Sequence, residues 1–278
     1  MVKIISDSTC DLSKELVEKY QIDILPLHIH LGDEEYEDGV TITPEEIFAW
    51  SDKYKTTPKT SVASIAEVAD LFKKYEGEIV CFSISEEMST TANVMRLAVQ
   101  ELEREKEIFI INSKNLSTGL GLLVIEASIM AMQGKNAKEI VEEMEQMIPK
   151  VRSSFVVDTL TYLHRGGRCS GVAALAGSAL QLHPKVVVHN GKMEADKKYR
   201  GKINKVVMNY VKELEELKNA KQDRVFLTHS GCEKEVVEEV RKYLKQLNVF
   251  EEIIETRAGS VISSHCGPAT LGVLYMVK

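Results

Sequence analysis

Residues 56–91 read TTPKTSVASIAEVADLFKKYEGEIVCFSISEEMSTT, and this stretch decides the fold class. A loop rich in hydroxyls leads into a helix start, then a β-branched run, then a second hydroxyl loop. Ser64 with Glu67 three residues on forms a capping box. The serine oxygen takes an orphan amide of the first helical turn, and the glutamate reaches back to the serine amide. EIVCFSI at 78–84 has the length and composition of a buried strand. A capped helix running into a strand with hydroxyls at its carboxyl end is one unit of an alternating α/β chain.

The same unit recurs in both directions. VKIIS, EIFIIN, SFVVD, KVVVHN, RVFLTH, EEIIETR and LGVLYMV are further strand candidates. Thr43-Pro44-Glu45-Glu46 and Asn136 with Glu139 mark other helix starts. Ile140, Met144 and Met147, like Val237, Val240 and Leu244, fall at helical spacing. Two hairpins interrupt the alternation. ILPLHIHLGDEEYEDGV folds back near Gly32-Asp33, and Asn190-Gly191 between two strand-like runs predicts a type I′ turn. Pro149 stops a helix just before SFVVD. The expected architecture is therefore α/β: an N-terminal doubly wound parallel-sheet domain over 1–150, with a hairpin excursion near 24–42, and a C-terminal mixed-sheet α/β domain over 151–278.

Composition bounds the function. The chain has 278 residues, with 35 Lys+Arg against 42 Asp+Glu and a formal charge of −7. That length is enough to bury a large core without staples. The acidic balance argues against nucleic acid, whose binding needs a basic field. Five scattered cysteines with no C-x-x-C pair support neither a zinc site nor a disulfide framework. The opening MVKIISDST enters a strand at once, so no signal peptide and a cytoplasmic location are expected. The apolar run LSTGLGLLVIEASIMAM is too short to span a bilayer and contains Glu126.

Phosphate-loop, nucleophile-elbow, metalloprotease and dinucleotide motifs are absent, and no catalytic triad is evident. His28 and His30 share one strand face without a third metal ligand nearby, and read as a solvated ribbon face. What remains is a set of hydroxyls just past strand ends: Ser8-Thr9, the loop before Ser64, Ser85 through Thr91, and Ser113 through Thr118. In an open α/β sheet such loops meet at the ligand-binding carboxyl edge. Plain helix capping is the alternative for each one singly. His265, beside Gly267-Pro268, has small neighbours that suit either a structural or a ligand-facing ring. DTLTYLHRGGRCSGVAALAGSALQL ends in an Ala- and Gly-rich helical pattern suited to close packing or to lining an apolar cavity.

These motifs carry a family resemblance. SDSTCDL, PKTSVAS, SISEEMSTTANV, DTLTYLHRGGRCS, KKYRGK, HSGC and SHCGPATLGV occur in this order along the chain. Over its whole length the sequence resembles the DegV family of bacterial fatty-acid-binding proteins, including the B-type subunit of bacterial fatty acid kinase. The resemblance implies a DegV-like fold with the pocket between its two domains, one bound long-chain fatty acid and no other cofactor. It implies that Thr60, Ser61, Ser89 and Thr90 face the fatty-acid carboxylate, with His265 and Gly267 completing the polar end. The implied partner is a separate ATP-dependent fatty acid kinase subunit, with transient membrane contact also compatible and no catalysis by this chain itself. Arg168 and Arg200 match partner-docking positions within the local basic runs HRGGR and KKYRGKINK. The chain departs from the family pattern at Thr90 and Ala269, where glycine is usual, and at Val62-Ala63, where Gln-Pro is common. Two other readings remain open at this level. One is a substrate-binding part of a dihydroxyacetone-kinase-like enzyme using His265 or His229, and the other is a regulatory module whose lipid is only a filler.

Overall fold

Each strand candidate named above becomes a strand in the computed structural model, which describes residues 1–168 and 182–278. The strands are β1 (Lys3–Asp7), β2 (Asp23–Leu25), β3 (His28–Leu31), β4 (Glu34–Glu37), β5 (Lys59–Ser61), β6 (Ile79–Ser83) and β7 (Ile108–Asn112). They continue as β8 (Val151–Val156), β9 (Leu182–His189), β10 (Lys192–Arg200), β11 (Ala220–Ser230), β12 (Glu252–Arg257) and β13 (Thr270–Val277). The described helices are α1 (Lys14–Lys19), α2 (Pro44–Tyr54), α3 (Ile65–Lys73), α4 (Thr91–Glu101) and α5 (Ser117–Met132). The remainder are α6 (Ala137–Met147), α7 (Thr161–Arg165), α8 (Ile203–Lys212), α9 (Lys234–Gln246) and α10 (Ser260–Cys266). The Ala- and Gly-rich run of 169–181 lies outside the described residues.

The described strands form three sheets. The first is parallel, in the order β2-β1-β6-β7, and the second is an antiparallel ribbon, β4-β3-β5. The third is mixed, β10-β9-β8-β13-β11-β12, with only the β11/β12 pair parallel. In the parallel sheet β1 has β2 on one side and β6 on the other. The carboxyl ends of β1 and β6 thus flank a switch point, where open sheets leave a crevice.

The helix boundaries follow their caps. Capping boxes form at Thr43/Glu46, Ser64/Glu67 and Asn136/Glu139. Asn190 and Gly191 have φ of 49° and 84°, as a type I′ turn between β9 and β10 requires. Helix α5 has no polar face, and fourteen of its sixteen residues are buried. Such a helix must be covered all round. It lies between the parallel and mixed sheets, with Leu120 and Leu123 in one core that includes Val80 and Phe82 on one side and Phe226 and Leu274 on the other. Glu126 survives there because Arg224 and Lys221 pair with it, Lys221 at 2.9 Å. Among the described residues no helix is long and apolar enough to cross a membrane.

The ribbon corrects one reading. His28 is buried rather than solvated, with Nδ1 2.8 Å from Glu35 and Nε2 3.1 Å from Glu67. Helix α3 supplies Glu67 over that face of the ribbon. Residues 59–61 had no strand signal, being three residues after a proline, yet they pair with β3.

Ala269 stands where the family usually has glycine, and its φ is 57°. A side chain in this left-handed region costs about 1–2 kcal/mol. Ala269→Gly is therefore expected to stabilise the protein by about 1 kcal/mol, part of the gain being lost to the greater unfolded freedom of glycine. Denaturant titration checks this; a variant less stable than the parent would contradict it.

Candidate functional site

The residues around the switch point enclose a cavity of about 500 Å³. Apolar side chains form most of its wall, among them Leu27, Ile84, Leu116, Phe155, Leu163 and Ile262. Polar groups reach it from several segments, among them Thr60 on β5, Ser89 in the loop before α4, His265 on α10, and Arg168 just after α7. Segments from both ends of the chain thus line one cavity.

The tightest feature is a hydroxyl–imidazole pair. Thr60 Oγ1 lies 2.9 Å from His265 Nε2, across 205 positions of sequence. Burial pushes the His265 pKa down to about 4, helped by the nearby Arg168 charge, so the ring is neutral at pH 7. Among the described residues its buried Nδ1 has no hydrogen-bond partner. Gly166 permits this packing, since a Cβ there would stand 2.3 Å from Nδ1.

Ser89 borders the cavity with its Oγ 2.8 Å from the Thr91 hydroxyl and accepting the Thr91 amide at 3.3 Å. Thr90 is exposed on the rim, at φ −89°, so this position does not need the usual glycine. Ser61 borders the cavity but its hydroxyl is held by His30 Nε2 at 2.8 Å. Successive side chains of a strand point to opposite faces, so Ser61 turns away as Thr60 turns toward His265. Gly267 is not on the cavity wall. At φ 75° it ends α10; its N–H donates to Ser263 and its carbonyl accepts from Ser230, while the Tyr162 ring occupies the space of a side chain.

The two arginines separate. Arg200 is exposed at the end of β10 and does not line the cavity. Arg168 does line it, half-buried, with Nη1 donating to the Gly166 carbonyl at 2.8 Å. Among the described residues no carboxylate forms an ion pair with Arg168. Glu86, also on the wall, is paired with Arg96. His229 borders the cavity as well, but its Nε2 sits 3.3 Å from Glu255, and burial lowers its pKa. No group of three or more His, Cys, Asp or Glu among the described residues is arranged to hold a metal ion.

Sequence reasoning gave no role to the buried carboxylates. Asp7 accepts the Thr9 amide at 3.0 Å and the Ile84 amide at 2.7 Å, joining the ends of β1 and β6 beneath the cavity. Its complete burial raises its pKa to about 6. Asp11 and Asp38 are equally hidden and bond to the start of α10. The aspartates of SDSTCDL were visible as a motif, but nothing local showed what they hold.

Comparison with known proteins agrees with this geometry. A DegV domain-containing protein of Clostridium acetobutylicum is 31% identical over 285 residues, covering 100% of this chain and 99% of that protein. A fatty-acid-binding DegV family protein from Thermus thermophilus superposes with a TM-score of 0.91 at 27% identity, over 100% of this chain and 99% of that one. A stearic acid-binding protein from Eubacterium ventriosum gives 0.86 at 29% identity, again over 100% and 99%. The family model described as "Uncharacterised protein, DegV family" matches residues 1–278 without a break. With its sheets, its motifs and its full-length match in accord, the chain belongs to the DegV family.

Proposed function

We propose that this protein holds one long-chain fatty acid in the 500 Å³ cavity and presents its carboxylate to a separate ATP-dependent fatty acid kinase. The observation that carries this reading is a mostly apolar cavity with Thr60, Ser89, His265 and Arg168 on its wall. The units 1–150 and 151–278 act as its two walls, and the protein works as a cytoplasmic carrier without catalysis of its own.

The energetics divide the labour. Each buried methylene contributes ~0.8 kcal/mol, so about fourteen contribute on the order of 11 kcal/mol before ordering costs. Hydrogen bonds to a charged head contribute about 1.5–3 kcal/mol each. The tail sets affinity and the head sets position. In the Nε2–H tautomer, neutral His265 donates to Thr60 Oγ1 and leaves the Thr60 hydroxyl hydrogen free for the carboxylate. Ser89 supplies a second hydroxyl and Arg168 a fixed positive charge, which together offset the desolvation of a buried anion.

Ser89→Ala is expected to misplace the head more than it empties the cavity. Phosphoryl transfer by a cognate kinase should fall about tenfold, a loss typical of a reacting group held slightly out of place, while bound lipid measured by mass spectrometry stays near the parent level. Equal losses in both would contradict the assignment. The runner-up, a small carbonyl substrate held by a histidine, fits less well. His229 is engaged by Glu255, His265 by Thr60, and the wall is apolar.

A further inference from the structure

We infer that Asp11 and Asp38 are positioning residues for the head-group end of the cavity: together they hold the first turn of α10 so that its last turn sets His265 on Thr60. Only the functional consequence rests on the fatty-acid reading above.

The N-cap of helix α10 is Gly259, which has no side chain with which to cap the helix's orphan amides. Both amides are taken by remote carboxylates. Gly259 N–H donates to Asp11 Oδ1 at 2.8 Å and Ser260 N–H to Asp38 Oδ1 at 2.7 Å. A carboxylate at a helix start also meets the favourable end of the helix dipole. Gly259 suits this close approach, since a Cβ there would stand in tight contact, 3.1 Å from Asp11 Oδ1 and 3.2 Å from Asp38 Oδ1.

The second oxygen of each acid fixes the acid itself. Ser117, the first residue of α5, donates to Asp11 Oδ2. Ser8 donates to Asp38 Oδ2 at 2.8 Å, and its oxygen accepts the Leu27 amide at 3.2 Å. Asp38 N–H donates to Leu27 O at 2.9 Å, just ahead of the ribbon. Strand β5, which carries Thr60, is the third strand of that ribbon. The acids therefore connect both partners of the Thr60–His265 pair to one frame. Both are almost fully buried, at 5% and 2% exposure, so water cannot replace them. At the far end Gly267 closes the helix against Tyr162. A seven-residue helix pinned at both ends leaves His265 one orientation.

The test is the imidazole titration of His265 by NMR in the full-length protein, beside kinase-dependent acyl-phosphate formation. In the parent the midpoint is expected near 4. Asp38→Ala and Asp11→Ala should each loosen the pair, admit water, and move the midpoint up toward the ordinary value of 6.5. Acyl-phosphate formation should fall about tenfold at saturating kinase, as expected for a misplaced reacting group. Asp38→Asn keeps an oxygen for Ser260 N–H and should recover most of both losses. Should the alanine variants fail to fold, Ser8→Ala removes one support of Asp38 and should move the midpoint in the same direction by less. An unmoved midpoint in these variants, even with lowered thermal stability, assigns the acids a purely structural role and overturns the inference. Because the titration needs no kinase, it still decides the inference if the parent protein supports no acyl-phosphate formation, a result that would instead sink the carrier reading.

Discussion

Arg168→Glu is expected to empty the cavity. Arg168 is half-buried on the cavity wall, and among the described residues no acid pairs with it. His265 is neutral at pH 7 and Glu86 is occupied by Arg96, so Arg168 is the unpaired fixed charge among the described wall residues. A half-buried guanidinium in that position needs an anion. Two unit charges about 4 Å apart at an effective dielectric of about 20 interact by about 4 kcal/mol. Turning that attraction into repulsion should cost the lipid at least about a hundredfold in affinity, since each 1.4 kcal/mol is a factor of ten. Arg168→Gln, which only removes the charge, should lose less. Arg200→Glu provides the contrast: exposed and off the wall, it should retain its lipid and, if it docks the kinase, lose phosphoryl transfer. Rebinding of a fatty acid to stripped protein measures the difference. An Arg168→Glu variant that binds like the parent would remove Arg168 from the head-group site.

Glu126→Ala is expected to cause the largest loss of stability. The Glu126 side chain is 10% exposed and that of Arg224 8%, and the two are in direct contact. Among the described residues Arg224 Nε has no hydrogen-bond partner, and Asp223 is a more distant neighbour at 3.4 Å. Deleting one member of a buried pair costs about 3–5 kcal/mol when the other charge is left uncompensated; with Asp223 still near Arg224, a loss of about 3 kcal/mol is expected. In a protein of this size that corresponds to a fall in Tm of roughly 10 °C. Glu126→Leu combined with Arg224→Met should recover most of the loss, because apolar side chains of similar volume often replace a buried pair without penalty. Thermal and denaturant unfolding check both variants, and a loss under about 1 kcal/mol for Glu126→Ala would show that the pair is well hydrated.

The fold was largely legible because its signals are local. Ser64 and Glu67 are three residues apart, and Asn190 and Gly191 are adjacent, so capping and turn chemistry could be read directly. Strand β5 was not legible: three residues cannot display an alternation, and its pairing with β3 is a tertiary fact. That gap propagated to Ser61, which the resemblance placed beside Thr60 at the carboxylate. Once 59–61 is a strand, alternation turns its hydroxyl to His30 instead.

The site was legible as motifs and only partly as geometry. Thr60, Ser89 and His265 do share one cavity, but Arg168 borders it as well and so parts company with Arg200. Glycines 166 and 267 mark close approaches of the His265 and Tyr162 rings, which no composition or periodicity reveals. The bonds of Asp11 and Asp38 to α10 span 248 and 222 positions. Contacts of that range follow from how the sheets are arranged, and so stay hidden until the fold is known.

Whether the cavity carries a fatty acid is decided by solvent extraction of the purified protein followed by mass spectrometry. One equivalent of an acid of roughly 14–20 carbons is expected, in keeping with a ligand cavity of this size. A reproducible sugar or ketone at that stoichiometry, or no lipid together with no uptake of added fatty acid, would contradict the carrier reading.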